Sequence, residues 1–272
     1  MQLITGATGN VGAKLVDDLL AHGESVRVFV RDPQKAERWR GKVDVARGDF
    51  TDPASFTRAL DGVRGVFLML GADVATAVRA ASRPKLVFLS TIAAQDTPLQ
   101  VGRVHREVEE AIEQSGLPHA FVRPGDFMSN AFLWVESIRA EATVYNPRGT
   151  GASAPIAPDD IAALASAALR NATDELILRA TGGALLTAAE QVAILSRVLD
   201  RPLRCVDVPL DAAIDAMVQK GMPAHLAGAV GESLAMVRDG GGASRTDTVQ
   251  RVLGRAPMTF EAWARANAAA FR

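Results

Sequence analysis

Residues 3–12 read Leu3-Ile4-Thr5-Gly6-Ala7-Thr8-Gly9-Asn10-Val11-Gly12, and few folds accommodate such a run. An apolar stretch meets three glycines within seven residues, and an apolar-periodic helix pattern begins at once behind them. In a strand–turn–helix unit each glycine has a physical task. Gly6 permits the tight turn, Gly9 lets a ligand approach the backbone, and Gly12 lets the helix lie close to the sheet. Free amides at the start of the helix, backed by its dipole, favour a pyrophosphate. The second apolar run ends about twenty residues further on, the spacing of a dinucleotide-binding βαβ unit. The segment therefore predicts a dinucleotide bound over Gly6, Thr8, Gly9, Asn10, Val11 and Gly12.

The rest of the first half keeps this rhythm. Short apolar runs at 2–5, 25–30, 43–47, 65–70, 85–90 and 119–123 alternate with helical patterns at 11–21, 33–40, 53–60, 74–80 and 102–114. Such alternation predicts a parallel sheet wound on both faces, an α/β Rossmann fold. Asp32-Pro33 and Asp52-Pro53 look like helix caps with proline in the first turn, and Gly116 like a helix stop. After Pro124 the rhythm changes: helix at 127–139, a short strand at 142–145, a Gly/Pro-rich loop at 146–153, helix at 159–170, strand at 175–180, helix at 187–199 and strand at 203–208. The remainder reads as helical, broken at 221–223 and at Gly240-Gly241-Gly242. Residues 1–145 are expected to form the dinucleotide-binding domain. Residues 146–272 are expected to form a smaller, mostly helical substrate lobe, with 155–182 returning to the Rossmann core.

Composition narrows the partners. The chain has 272 residues, 48% of them hydrophobic, with 30 Lys and Arg against 31 Asp and Glu, for a formal charge of −1. A near-neutral chain without a basic block gives no electrostatic case for nucleic acid or a membrane surface. Cys205 is the lone cysteine, so an intramolecular disulfide is excluded and no Cys-based metal site is expected. His22, His119 and His225 share no metal-ligand spacing, and no metal is expected. The first strand begins at the N-terminus without a targeting pattern, and no apolar run reaches membrane-spanning length, so a cytoplasmic protein is expected.

The end of the second strand bears on the choice of dinucleotide. An acidic residue there would bind the ribose 2′-hydroxyl of NAD, whereas arginine would accept the 2′-phosphate of NADP. Arg31 precedes Asp32, and Lys35 follows one helical turn on. Asp32 has other work if it caps the segment that begins at Pro33. Charge complementarity favours NADP(H), with NAD(H) as the alternative.

With these residues in view, the chain resembles the NmrA-like branch of the atypical short-chain dehydrogenases/reductases, a group of NAD(P)H-dependent quinone oxidoreductases and redox-sensing regulators. The segment Gly6 to Gly12 matches the group's variant glycine spacing, and Val30 to Ala36 its second-strand motif. The resemblance implies an adenine-side role for Asp49 and Phe50 after Gly48, and adds Leu70 and Gly71, at the end of the fourth strand, to the cofactor contacts. Arg123 to Asn130 is similar to the family's stretch beside nicotinamide and substrate. Pro124 is thereby placed on the cofactor, and Phe127, Met128 and Asn130 on the substrate; the apolar ones, with Phe132 and Trp134, fit ordinary core equally well. Further similarity lies in 159–162, Gly254-Arg255 and 260–264.

The typical member of the superfamily uses a tyrosine general acid and a lysine four residues later. Aligned on Glu109, that pair falls on Val101 and His105, so the tyrosine mechanism is absent. His105 to Glu109 resembles instead the HxxxE pattern of quinone-reducing members. The resemblance gives His105 a role at the ribose hydroxyls or as a proton relay, with a helix-surface histidine as the alternative. Ser90, at the end of the fifth strand, either positions a carbonyl and the cofactor or merely terminates the strand. Asp159 and Asp160 are read as helix caps. The implied function is hydride transfer from NAD(P)H to a small aromatic, quinone or enone acceptor. A non-catalytic sensor acting through a protein partner is the alternative, and oligomerisation stays open.

Overall fold

The computed structural model describes residues 1–95 and 98–272. Seven strands form one parallel sheet: β1 (Gln2–Thr5), β2 (Val26–Val30), β3 (Asp44–Arg47), β4 (Gly65–Leu68), β5 (Lys85–Leu89), β6 (His119–Pro124) and β9 (Ile177–Ala180). Their order across the sheet is β3-β2-β1-β4-β5-β6-β9. Side chains alternate between the faces of a strand, and here both faces are apolar. Leu3, Val66, Leu68, Leu86, Phe88 and Phe121 enter one buried cluster. Their strand neighbours Ile4, Phe67, Val87, Ala120 and Val122 enter the other. A sheet apolar on both faces needs helices on both. The first cluster is closed by α2 (Pro53–Ala59), α3 (Val74–Val78) and α4 (Gln100–Gln114). The second is closed by α1 (Asn10–Ala21), α6 (Pro158–Leu169) and α10 (Thr248–Leu253).

Between β6 and α6 the chain leaves the sheet to build α5 (Val135–Glu141), β7 (Thr143–Asn146) and β8 (Ala152–Ser153). After β9 it adds β10 (Leu186–Thr187), α7 (Ala188–Leu199), β11 (Arg204–Asp207), α8 (Leu210–Gln219), α9 (Ala224–Arg238) and α11 (Phe260–Ala266). β7 and β11 pair in parallel, and β8 and β10 antiparallel. A third apolar cluster joins Met128, Ile138, Val144, Val192, Leu195, Phe260, Trp263 and Phe271. Helices α8 and α9 form a hairpin that stands apart from these clusters. No residue of α8 is buried, and only Ala227, Gly231 and Val237 are buried on α9. The two helices approach closely, since a Cβ on Gly231 would lie 2.5 Å from Ile214 Cδ1.

Several local expectations change. Residues 33–39 form a 3₁₀ helix rather than an α-helix, with Ala36 and Trp39 as the buried pair. Residues three apart eclipse in that helix, so this spacing suits it. The expected helix over 127–139 divides into a 3₁₀ segment, Met128–Trp134, and α5. Asp159 and Asp160 are not caps. Ala157 holds that position, with Pro158 in the first turn. Asp159 pairs with Lys14 of α1 at 3.0 Å. Asp160, fully buried, accepts from Arg255 Nη1 at 2.6 Å and from the Met258 amide at 2.8 Å. These bonds tie α6 to the C-terminal segment.

Candidate dinucleotide crevice

The sheet order brings the C-terminal ends of β2, β1, β4 and β5 side by side, where open α/β sheets bind ligands. Gly6 follows β1 with φ +61°, a left-handed conformation that favours glycine. The Gly9 amide donates back to the Gly6 carbonyl at 2.9 Å and closes the turn. Gly12 is the least replaceable of the three: a Cβ there would sit 2.2 Å from the Gly6 oxygen and 3.0 Å from Ala7 Cα. Gly9 is the helix cap and has no side chain to bond the first amides of α1, whose first turn also lacks an acidic residue. The positive end of the helix is therefore left for an external anion. Thr8 and Asn10 are exposed beside it, while Val11 and Gly12 are buried.

At the end of β2, Arg31 projects with its side chain 82% exposed, and Nε lies 3.9 Å from Asp49 Oδ2. At that exposure the pair costs little to break. Asp32 accepts the Gln34 amide at 3.0 Å and so serves as a cap, leaving Arg31 and exposed Lys35 as the cations at this edge. Asp49 accepts the amide and the hydroxyl of Thr51, both at 2.9 Å. Those bonds, the amide's first, hold its carboxyl below the usual aspartate pKa. Phe50 packs against Phe29 and Phe56, with ring centroids 5.3 and 5.0 Å away. Beyond β4, Leu70 is 41% exposed, and Gly71 takes φ +87°.

Ser90 and His105 lie deeper. Ser90 follows β5; its amide donates to the Val122 carbonyl at 2.8 Å, and its hydroxyl is buried with no hydrogen-bond partner among the described residues. His105, on α4, places Nδ1 2.8 Å from the Val101 carbonyl oxygen. A carbonyl only accepts, so Nδ1 carries the proton and Nε2 of the neutral ring is an acceptor. Burial lowers the pKa of His105, against the opposing influence of the Val101 carbonyl and the Glu109 charge. Glu109 is itself fully committed. Its oxygens accept from Arg123 Nε at 2.8 Å and Arg123 Nη2, and from Arg106 Nη1 at 3.1 Å. The histidine and the glutamate of the HxxxE pattern thus do different work: one presents a lone pair, the other anchors α4 to β6.

The stretch after Pro124 is held by a network that the sequence did not disclose. Asp126 accepts from Arg148 Nη1 at 2.7 Å, Ser153 Oγ at 2.8 Å and Asn130 Nδ2 at 2.7 Å. Burial opposes ionisation of Asp126, but the Arg148 charge and these bonds outweigh it and keep its pKa below the ordinary value. Asn130, read as a substrate contact, spends its amide on this network. Met128 is buried within the third cluster, and Phe127 is half-buried with a bridge to Ile156. The large apolar side chain most open to solvent is Leu133, at 81% exposure, which was not among the expected substrate residues. Its place in an apolar run gave no signal of exposure. Among the described residues, no three His, Cys, Asp or Glu side chains gather to hold a metal, and no helix is long and apolar enough to cross a membrane.

Known proteins resemble this chain in sequence and in fold. A family model described as NAD(P)H-binding matches residues 6–172. The (4-alkanoyl-5-oxo-2,5-dihydrofuran-3-yl)methyl phosphate reductase of Streptomyces griseus is 39% identical over 281 aligned positions, covering 100% of this chain and 99% of that protein. The NAD(P)H azoreductase of Xenophilus azovorans is 36% identical, with 100% and 99% coverage. The NADPH complex of an NADPH-dependent quinone oxidoreductase from Escherichia coli superposes with TM-score 0.85 at 22% identity, covering 98% of this chain and 99% of that one.

Proposed function

The chain belongs to the NAD(P)H-binding family, and we propose that it is a reductase using NADP(H) to reduce a conjugated acceptor such as a quinone, an azo compound or an enone. The observation that carries this reading is the glycine cradle: a helix end with neither a capping side chain nor an acidic residue, backed by a glycine at which an added Cβ would collide with the turn. The residues present fit a dinucleotide. Gly6, Thr8, Gly9, Asn10, Val11 and Gly12 would hold its pyrophosphate, and Asp49, Phe50, Leu70 and Gly71 would flank its adenosine side. Arg31 and Lys35 would meet a 2′-phosphate, because Asp32 is occupied as a cap. NAD(H), lacking that phosphate, would lose this contribution.

Bound there, NADPH supplies a hydride to the acceptor. His105 Nε2 would accept a hydrogen bond from a ribose hydroxyl, and the Ser90 hydroxyl would donate to a cofactor or substrate oxygen. Pro124 would lie against the nicotinamide, and Phe127 would bound the substrate side. A neutral His105 with its proton on Nδ1 has none to give from Nε2, and Val101 has none at all, so protonation falls to solvent. Conjugated acceptors tolerate this, since charge arriving with the hydride is delocalised before the proton is needed. The protein's part is orientation and proximity. The relatives' names, a furanone phosphate reductase and an azoreductase, support this acceptor class.

The test is NADPH oxidation measured at steady state across a panel of quinones, azo dyes and enones, beside fluorescence titrations of NADPH and NADH. Turnover with at least one conjugated acceptor and tighter binding of NADPH are expected. Confirmed cofactor binding with no turnover above background would overturn the reductase reading and favour a sensor.

A further inference from the structure

We propose that the outer edge of the main sheet carries a second anion site, built by Arg179 and Arg245 and suited to a phosphate monoester. With Arg251, the two side chains line a surface cavity of about 490 Å³ over the edge strand β9, with Thr246 and Asp247 beside them. Four strand spacings separate β9 from β1, about 19 Å at the usual spacing, so this is not the pyrophosphate cradle.

The argument begins with register. Arg179 pairs with Arg123 across the β6–β9 ladder, so the two side chains leave the sheet on the same face. Arg123 finds the carboxylate of Glu109. Arg179 has no carboxylate among the described residues, and its Nε is shut from solvent without a hydrogen-bond partner. A buried donor is ordinarily satisfied by protein, water or an ion, and the side chain that carries this one lines the cavity.

The charges around it point the same way. Asp247, whose charge repels an anion, is engaged by Arg251, as is Glu175 at 2.7 Å. Among the described residues, Arg245 has as its partner only the Gly183 carbonyl, at 3.2 Å. Two guanidinium groups therefore face the cavity without acidic partners. A guanidinium fork matches a tetrahedral oxyanion through two parallel hydrogen bonds, which a lysine ammonium does not. The Thr246 hydroxyl bonds the Arg179 carbonyl at 2.7 Å and fixes the loop that carries Arg245 against β9.

Calorimetric titration with inorganic phosphate and with phenyl phosphate, each with and without saturating NADPH, tests the site. Binding that persists with NADPH present is expected, weakened roughly tenfold by Arg179→Gln, about one hydrogen-bonded charge pair. Arg179→Lys is expected to restore charge but not affinity. Arg245→Gln, at an exposed position where folding is not at stake, should weaken binding as well. Tighter phenyl phosphate assigns an esterified ligand; tighter inorganic phosphate assigns the free ion. The proposal is overturned if neither anion binds at tens of millimolar, if NADPH displaces both, or if Arg179→Gln and Arg245→Gln bind like the parent.

Discussion

Replacing Gly12 with alanine sets two effects against each other. Gly12 is the third residue of α1, where alanine gains about 1 kcal/mol in helix propensity. The added Cβ, however, would lie 2.2 Å from the Gly6 oxygen, 2.8 Å from the Gly6 carbonyl carbon and 3.0 Å from Ala7 Cα. All three are backbone atoms, so no rotamer change relieves the contact; helix and turn must separate by roughly 1 Å. Overpacking of this kind costs about 1–3 kcal/mol, so the net effect is a loss of about 0–2 kcal/mol. The same displacement moves the Gly6–Gly9 turn from the helix end that it serves, and NADPH affinity should fall roughly 10- to 100-fold. Gly228, in α9, is the control, because a Cβ there meets nothing within 4 Å. Gly228→Ala should gain about 0.5–1 kcal/mol and leave cofactor binding alone. Urea unfolding and NADPH fluorescence titration of the two variants make the comparison. If Gly12→Ala matches Gly228→Ala in stability and binds NADPH like the parent, the close-packing argument is wrong.

Three further outcomes follow from the geometry. Arg31→Gln should weaken NADPH by about tenfold, the loss of one charge-assisted contact, while NADH binding stays unchanged; an equal loss for both would remove Arg31 from the 2′-phosphate. Glu109→Gln leaves Arg123 buried without its carboxylate and should cost about 3–5 kcal/mol, read from the urea midpoint, with less than 1 kcal/mol arguing for an alternative partner. The lowered pKa of His105 gives a pH signature. Above the ordinary histidine pKa of about 6.5 the ring is neutral whether folded or unfolded and contributes nothing. Below it the unfolded chain takes the proton first, so stability declines as pH falls towards the folded pKa and then levels off. His105→Gln should flatten that part of the profile, and an unchanged slope would place the acid sensitivity elsewhere.

What the sequence disclosed was local. The cradle is a contiguous segment whose glycines have steric duties within the same turn, and the buried strands announce themselves as short apolar runs. Even the tautomer of His105 has a local cause, a carbonyl four residues back on the same helix. Interactions across long separations were hidden. Asp126 reaches Arg148 and Ser153, Glu109 reaches Arg123, and Asp160 reaches Arg255; each needs two elements to abut before its partner can be named. Asp160 was misread for that reason, since an acidic residue near a helix start suits a cap equally well. The kind of helix at 33–39 was hidden for another reason: Asp-Pro starts either kind, and seven residues are too few for periodicity to separate them.

The α8–α9 hairpin has a bearing on how relatives of this chain diverge. It leaves the body after β11 and returns before α10, and α8 contributes nothing to the buried interior. Its lateral ties are an exposed Lys220–Glu136 ion pair and the bond from the Gln100 amide to Glu232 at 2.8 Å. At its base, Gly151 admits the Val237 carbonyl where a Cβ would come within 2.2 Å of it. Mutations on the outer face of α8 are therefore screened from the selection that preserves packing, while those at Ile214, Gly231, Gly151 and Val237 are not. Drift and adaptation can rewrite the hairpin's outer residues one at a time without first destabilising the Rossmann core. In a graft between two family members, this hairpin is the portable part and its base the joint to conserve.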